Sequence, residues 1–465
     1  MTTAHRSTRA ATQGAFGILR ARVGLAPVNA PQSRIEARAA KDLGRLIEFA
    51  AARSPFYRRM YAGLGDSREL ALEQLPIVTK AMMMEDLDGF LTDPTLSHAR
   101  LARHIDADED GRTGPDLHGY RTIVTSGSTG LRGLFAFNRR EWNIIMASFW
   151  RWTDMTGLSP RPWRRRIAVV GAPSPLHFSN NVAASIAPYR LLYLKSGTPV
   201  GEMCTRLNAF QPDIVLSYPS VCGQLAHEQM EGVLRISPRH VVTSGELRST
   251  RMSDDIRTAW DTPARDLYAM TEVGVVAGEC REAGGLHHFN DLSIIEIVDD
   301  RGRPVPTGEQ GARILVTNLF MRTQPLIRYE VSDMLTMDGN NCSCGRAWPL
   351  IRSISGRLDD LLWFRERDGR EIQVHPLQLQ SLILGQSWVR GYQICQEPER
   401  LLIRIVANSG RNLETRLESL REQVQRKLQE LRVLPPPVEV MSVSAIPPEN
   451  GPGGKVKLVK SYRCP

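Results

Sequence analysis

The sequence predicts an α/β protein. Its large N-terminal domain should hold parallel and mixed sheets covered by helices, with an antiparallel subdomain, and a small α+β C-terminal domain should follow. Three observations lead there. From Arg166 onward, short apolar β-type runs alternate with amphipathic helices, as in a parallel sheet with helices on its faces. After Asp291 the texture changes to closely spaced strands joined by tight turns, which reads as antiparallel pairing. From about Asp360 a strand and a long charged helix make a separate pattern. A chain of 465 residues has length for two or more domains and a large core.

The first 35 residues are rich in Arg, Ala, Ser and Thr, with no acid before Glu36. They superficially resemble an organelle transit peptide, but the reading adopted is a poorly ordered arm on a cytoplasmic protein. Residues 36–62 carry Leu43, Leu46, Ile47 and Ala50 at helical spacing, and Ser54-Pro55-Phe56-Tyr57 then reads as a helix break and an aromatic docking turn. Tyr120 to Val124 is a strand candidate. Ile167 to Val170, Ile214 to Leu216 and Val241-Val242 are strands, each followed by a helix: around Val182 to Ile186, Val221 to Met230, and Ser249 to Trp260. Ile294 to Val298 and Ala312 to Thr317 flank a turn at Asp300-Arg301-Gly302 as a hairpin. Beyond a turn at Asp368-Gly369 come a strand (Leu401 to Val406) and a helix (Leu413 to Leu431).

Composition narrows the classes of function. Hydrophobic content of 42% and charged content of 23% are those of an ordinary globular protein. No apolar run approaches a membrane span. Seven scattered cysteines, an odd number, argue against a disulfide scaffold. The net charge of +9 suits anionic substrates such as ATP or a phosphate-bearing coenzyme better than it requires nucleic acid.

The chemistry is concentrated in a few segments. Thr125-Ser126-Gly127-Ser128-Thr129-Gly130-Leu131-Arg132-Gly133 is a hydroxyl- and glycine-rich loop, able to turn successive N–H groups onto phosphate oxygens. No Gly-Lys-Ser/Thr closes it, so it is not a Walker loop, and the same composition also makes plain linkers. Tyr268-Ala269-Met270-Thr271-Glu272 ends the last strand–helix unit, where open α/β sheets bind ligands. Thr271 could hold a phosphate and Glu272 a Mg²⁺ ion, although a Thr-Glu pair can equally cap a helix. Asp333, in Arg328-Tyr329-Glu330-Val331-Ser332-Asp333, is a short carboxylate suited to two ribose hydroxyls. Gly356-Arg357-Leu358-Asp359-Asp360 lies at the domain boundary. Gly451-Pro452-Gly453-Gly454-Lys455 offers a lysine on a glycine loop, with Lys457 and Lys460 nearby as a competing basic tail.

In this order and at these separations the segments resemble the adenylate-forming superfamily of acyl- and aryl-CoA synthetases, nearest to the phenylacetate-CoA ligase and coenzyme F390 synthetase-like branch. Ser54 to Tyr57 and Leu75-Pro76-Ile77-Val78-Thr79-Lys80 also resemble that branch's N-terminal region, so the likeness runs from about Leu46 to Lys460. It implies ATP- and Mg²⁺-dependent activation of a carboxylic acid to an acyl-adenylate, followed by transfer to CoA. By the resemblance, the Thr125 to Gly133 loop holds the β- and γ-phosphates, and Ser244-Gly245-Glu246 lines the adenine pocket. Tyr268 stacks on the base, Thr271 meets the α-phosphate, Glu272 ligates Mg²⁺ and Asp333 binds ribose. Arg357 supports the nucleotide, Asp359 is the hinge of a mobile small domain, and Lys455 stabilises the adenylation transition state. The chain would then divide into an arm (1–35), a large domain (36–358) and a small domain (359–465).

The acid pocket is expected from Ser217, Tyr218, Pro219, Ala269 and Met270, with His177 and Phe178 nearby. Tyr218 and Met270 suit an aryl or similar planar acid, and core packing explains the same residues. In this branch similar cysteine and histidine positions form a zinc site, which maps to Cys280, His287, Cys342 and Cys344. Three thiolates and an imidazole would close a structural tetrahedral site. The resemblance thins at Trp363, Phe364 and Arg365, where the family places a glycine beside the pantetheine arm of CoA. An amine or a carrier-protein thiol therefore stays open as acceptor. The expected partners are the acid and its acceptor, with a homodimer open, and neither nucleic acid nor a membrane.

Overall fold

The computed structural model describes residues 16–465 except 66–69, 110–115, 118, 126–132, 158–164, 173, 187–188, 197, 283, 340–341, 358–361, 366–368, 370, 375, 385, 387, 408–411, 432, 447–457 and 463–465. Ser126 to Gly130, Asp359 and Lys455 lie outside the described residues.

The N-terminal part departs from expectation. Residues 16–24 are helical, and Ile18, Leu25, Ala26 and Ala30 are buried, so half of the expected poorly ordered arm is docked. The physical reason is a polar lock that no local periodicity announces. Arg151 and Asp291, both fully buried, pair at 2.7 Å, the Ala26 N–H donates to Asp291 at 3.1 Å, and Trp348 Nε1 donates to the Val28 carbonyl. Helix Gln32–Arg53 follows, buried along Ile35, Ala39, Leu46, Ile47 and Ala50. Ser54 ends it and caps the short helix Pro55–Met60 through its side chain, with Pro55 in the first turn where no N–H is needed.

A small antiparallel sheet comes next, of β1 (Asp116–Leu117), β2 (Tyr120–Val124) and β3 (Leu134–Asn138). The Ser/Gly segment joins β2 to β3, a strand not anticipated from the sequence, and the capped helix Arg139–Thr156 begins only after it. β3 escaped notice because Leu134, Phe135, Ala136 and Phe137 are all buried, leaving no alternation to read.

The central sheet has nine strands. Its parallel part comprises β4 (Arg166–Gly171), β5 (Arg190–Lys195), β6 (Ile214–Ser217), β7 (His240–Thr243) and β8 (Ala264–Met270), and its antiparallel continuation β9 (Gly274–Glu279) and β10 (Leu286–His288). Between them and the last two members lie β11 (Ser293–Val298), β12 (Arg313–Asn318) and β13 (Tyr329–Val331), an antiparallel sheet built on the expected hairpin. β14 (Asp333–Asp338) and β15 (Leu350–Arg357) then complete the nine, in the order β14-β15-β10-β9-β8-β7-β6-β4-β5. From β4 the chain steps out to β5 and returns to β6 on β4's other side. That reversal opens a crevice at the carboxyl ends of β4 and β6, the place where open α/β sheets take ligands.

The last part holds a two-stranded sheet, β16 (Leu362–Arg365) with β17 (Glu371–Val374). It also holds a four-stranded sheet of β18 (Val389–Gln396), β19 (Leu401–Ala407), β20 (Val438–Ser442) and β21 (Val459–Lys460). Helix Leu413–Glu430 buries Leu420, Val424 and Leu428. These residues form a hydrophobic core drawn from Leu362 to Val459, separate from the cores of the larger part.

Candidate active site

A cavity of about 600 Å³ opens at the crevice that strand order predicts. β4 and β6 contribute Val169, Val170, Gly171, Leu216 and Ser217, all at or near their carboxyl ends. Of the residues proposed from sequence, the cavity gathers Thr125, His177, Ser217, Tyr218, Ser244, Gly245, Ala269, Met270, Thr271, Glu272 and Asp333. Pro219, Glu246 and Tyr268 are not among its lining residues. Pro219 starts helix Pro219–Met230, and Glu246 accepts the N–H of Ser220 at 3.1 Å in that helix's first turn.

Thr271 and Glu272 sit in the turn between β8 and the antiparallel β9, with no helix after them, so the helix-cap reading falls. The Tyr268 hydroxyl donates to Asp333 Oδ2 at 2.7 Å, which ties the expected base-stacking and ribose-binding residues together. Asp333 also pairs in register with Arg357 across β14 and β15. At the base of the Ser/Gly loop the Thr125 N–H donates to the Gly133 carbonyl at 3.0 Å, and the Gly133 N–H to Thr125 Oγ1 at 2.8 Å.

Two glycines are required by what they touch. A Cβ on Gly171 would stand 2.7 Å from both Ser179 Oγ and Tyr193 Oη. Gly245 has φ +83°, and a Cβ there would press on the Tyr218 ring at 3.1 Å. Behind them Ser179 Oγ accepts from the Ala172 N–H and lies 2.9 Å from His177 Nδ1, while Tyr193 donates to the Ala172 carbonyl. Burial pushes the Tyr218 phenol well above its ordinary value, so it is neutral. The same cavity is lined by Phe149 and Phe178, stacked with centroids 6.5 Å apart, together with Val182 and Ile186.

Sequence reasoning missed Phe149, Ser179 and Val182, on helices, and Ile186, just after one, because residues on or near a helix that line a cavity look like core residues. It cited Thr79 and Lys80 without giving them a role. Both line the cavity, since Val78 bridges to Tyr329 beside β13. Lys80 is the one Lys or Arg among the described lining residues, against the carboxylates Glu272, Glu330 and Asp333. A polyphosphate could enter such a site only with further cations.

The second constellation also forms. Cys280, His287, Cys342 and Cys344 bring their ligand atoms within 4.8 Å of one another. Cys344 Sγ is 3.3 Å from His287 Nε2, and His287 Nδ1 lies 3.3 Å from the Trp348 carbonyl, a partner that would orient a metal-binding imidazole. His288 is turned away onto Ser293. Among the described residues no helix is long and apolar enough to cross a membrane.

No protein-family model matches the chain. It is 24% identical over 470 residues to the phenylacetate-coenzyme A ligase of Thermus thermophilus, covering 93% of this chain and 98% of that one. To the enzyme of that name from Escherichia coli it is 26% identical, covering 73% of each. Among solved structures it superposes on 2-hydroxyisobutyryl-CoA ligase in a postadenylation state holding the acyl-AMP, with TM-score 0.72, 20% identity, and 94% and 91% of the two chains covered. Against the same ligase in its thioesterification state the TM-score is 0.59 over the same shares. The fold is therefore that of the adenylate-forming ligases. In sequence the chain is similar to the phenylacetate-CoA ligases, over 93% of its length for one relative and 73% for the other.

Proposed function

We propose that this chain uses ATP to activate a carboxylic acid as its acyl-adenylate, then passes the acyl group to CoA and releases AMP. The observation that carries the reading is the convergence of Thr271, Glu272, Ser244, Gly245, Thr125 and Asp333 on one cavity at the sheet's switch point. The acid's carboxylate attacks the α-phosphorus in line, with pyrophosphate leaving, and the CoA thiol then attacks the acyl carbon as AMP departs. Thr271 contacts the α-phosphate, Asp333 holds the ribose hydroxyls with Tyr268 fixing its carboxylate, and Arg357 flanks it from β15. Glu272 would hold Mg²⁺, which supplies charge neutralisation for the phosphates when bound. Lys455 adds a cation that arrives only with the small domain.

The acid is aryl or similarly flat, lying between the Phe149–Phe178 pair and the His177, Ser217 and Tyr218 wall. Residues 36–358 form the large domain and 359–465 the small one, turning at Asp359, and the separate core from Leu362 to Val459 supports that division. CoA is preferred to an amine or carrier-protein acceptor because both of these relatives are CoA ligases by name. The three thiolates and imidazole at Cys280, His287, Cys342 and Cys344 fit a structural Zn²⁺. The reaction belongs in the cytoplasm, where ATP and CoA are supplied.

The test is acid-dependent pyrophosphate release over a panel of aryl and alkyl acids, with hydroxylamine to trap the adenylate and then with CoA. One acid class should give release and a thioester, and Lys455→Ala should slow adenylation by about a hundredfold or more while leaving the fold intact. A panel without any acid-dependent release would overturn the reading.

A further inference from the structure

Among the described residues β3 is an edge strand: it pairs with β2 on one side and with no described strand on the other. Its outer backbone groups are met by a side chain instead. The Ala136 N–H donates to Gln324 Oε1 at 2.6 Å, and Gln324 Nε2 donates to the Leu134 carbonyl at 3.0 Å. One carboxamide, with its one acceptor and its donor, thus replaces a missing strand at full burial. Leu134 directly follows Gly133, which closes the base of the phosphate loop.

The other end of the Gln324 segment is fixed as firmly. The buried Glu141 carboxylate accepts the N–H groups of Arg322 and Thr323 at 2.7 and 2.8 Å and the Thr323 hydroxyl at 2.9 Å. Downstream, the Tyr57 hydroxyl donates to the Pro325 carbonyl at 2.9 Å and accepts the Ile327 N–H at 3.2 Å. The chain then runs straight into Tyr329 to Asp333, which lines the cavity. The stretch from Gln324 to Asp333 is therefore a strut between two sites on different sheets.

Building on the functional reading above, we propose that Gln324 is a positioning residue. It holds strand β3, and with it Thr125 and Gly133 at the base of the Ser/Gly loop, against the segment that runs to the ribose-binding carboxylate of Asp333, so that both ends of ATP would be held at once. AMP has no β- or γ-phosphate and does not span the strut, so the two nucleotides should respond differently to its loss.

Gln324→Leu keeps the bulk and removes both hydrogen bonds. We expect the ATP·Mg Kd and KM to rise about tenfold or more, with the AMP Kd changed by less than about twofold, read by titration calorimetry and initial rates. Gln324→Asn, which withdraws the amide by one methylene, should show the same split more weakly and serves if the leucine variant does not fold. Equal weakening of ATP and AMP would show general loosening and overturn the proposal, as would no change in either. A wild type that binds neither nucleotide would first overturn the adenylation reading and the proposal with it.

Discussion

Asp266 shows how a single residue under the site answers to pH. It stands on β8 below the Ser244–Glu246 loop, takes a hydrogen bond from Thr243 Oγ1 at 2.9 Å, and shares its neighbourhood with Arg248 and Glu279. Burial raises its pKa to about 6, partly offset by Arg248 and reinforced by Glu279. In the unfolded chain it would titrate near 3.8, so between about pH 4 and 6 the native state binds more proton than the unfolded state. Its contribution therefore favours folding below pH 4 and fades as pH rises through 6. The difference is on the order of 3 kcal/mol. Asp266→Asn should lack that slope, so urea midpoints at pH 4.5 and 7 should show the variant gaining on the wild type at the higher pH. Parallel midpoints would mean that Asp266 titrates as an exposed acid.

At the scale of elements, the Cys/His cluster is set apart from the cavity by strand direction. β9 leaves the cavity at Glu272–Val273 and runs six residues before Cys280, roughly 20 Å at the rise of a strand. His287 lies on β10, which pairs with both β9 and β15, and Cys342 and Cys344 lie in the β14–β15 connection. A metal there would staple the β9–β10 connection, β10 itself and the β14–β15 connection at the far end of the sheet, a structural and not a catalytic position. Elemental analysis should find about one zinc per chain. Chelation, or Cys342→Ser, should lower the apparent Tm while ATP still binds at low temperature. Loss of ATP binding in step with metal would contradict the structural role. These elements also show what sequence can and cannot disclose. β4, β6 and β7 were legible because each is a short apolar run before an amphipathic helix. β3, buried at four consecutive residues, and β5, largely exposed at the sheet edge, carry no such rhythm. The tethers of the N-terminal arm were out of reach for another reason. Asp291 and Trp348 meet residues 25–28 across more than 260 positions, and no local pattern encodes so distant a contact.

For the whole molecule the decisive property is the separateness of its cores. The core from Leu362 to Val459 is built from its own strands and helices. In the proposed division Thr271, Glu272 and Asp333 belong to the large domain and Lys455 to the small one. On that proposal a lysine on a second domain would reach the α-phosphate in one orientation only, so adenylation and thioester formation would use two arrangements of the same parts. The proposed hinge for that change is Asp359. Proline there fixes φ near −65° and removes an N–H, restricting rotation without touching either core. Asp359→Pro should leave one half-reaction near the wild-type rate and slow the other by about a hundredfold. Single-turnover pyrophosphate release reads the first step, and thioester formation from preformed acyl-adenylate and CoA reads the second. If both steps slowed equally with the fold intact, the hinge would have to be sought elsewhere. If neither slowed, the two steps would share one arrangement, and the division of labour between the bodies would fail.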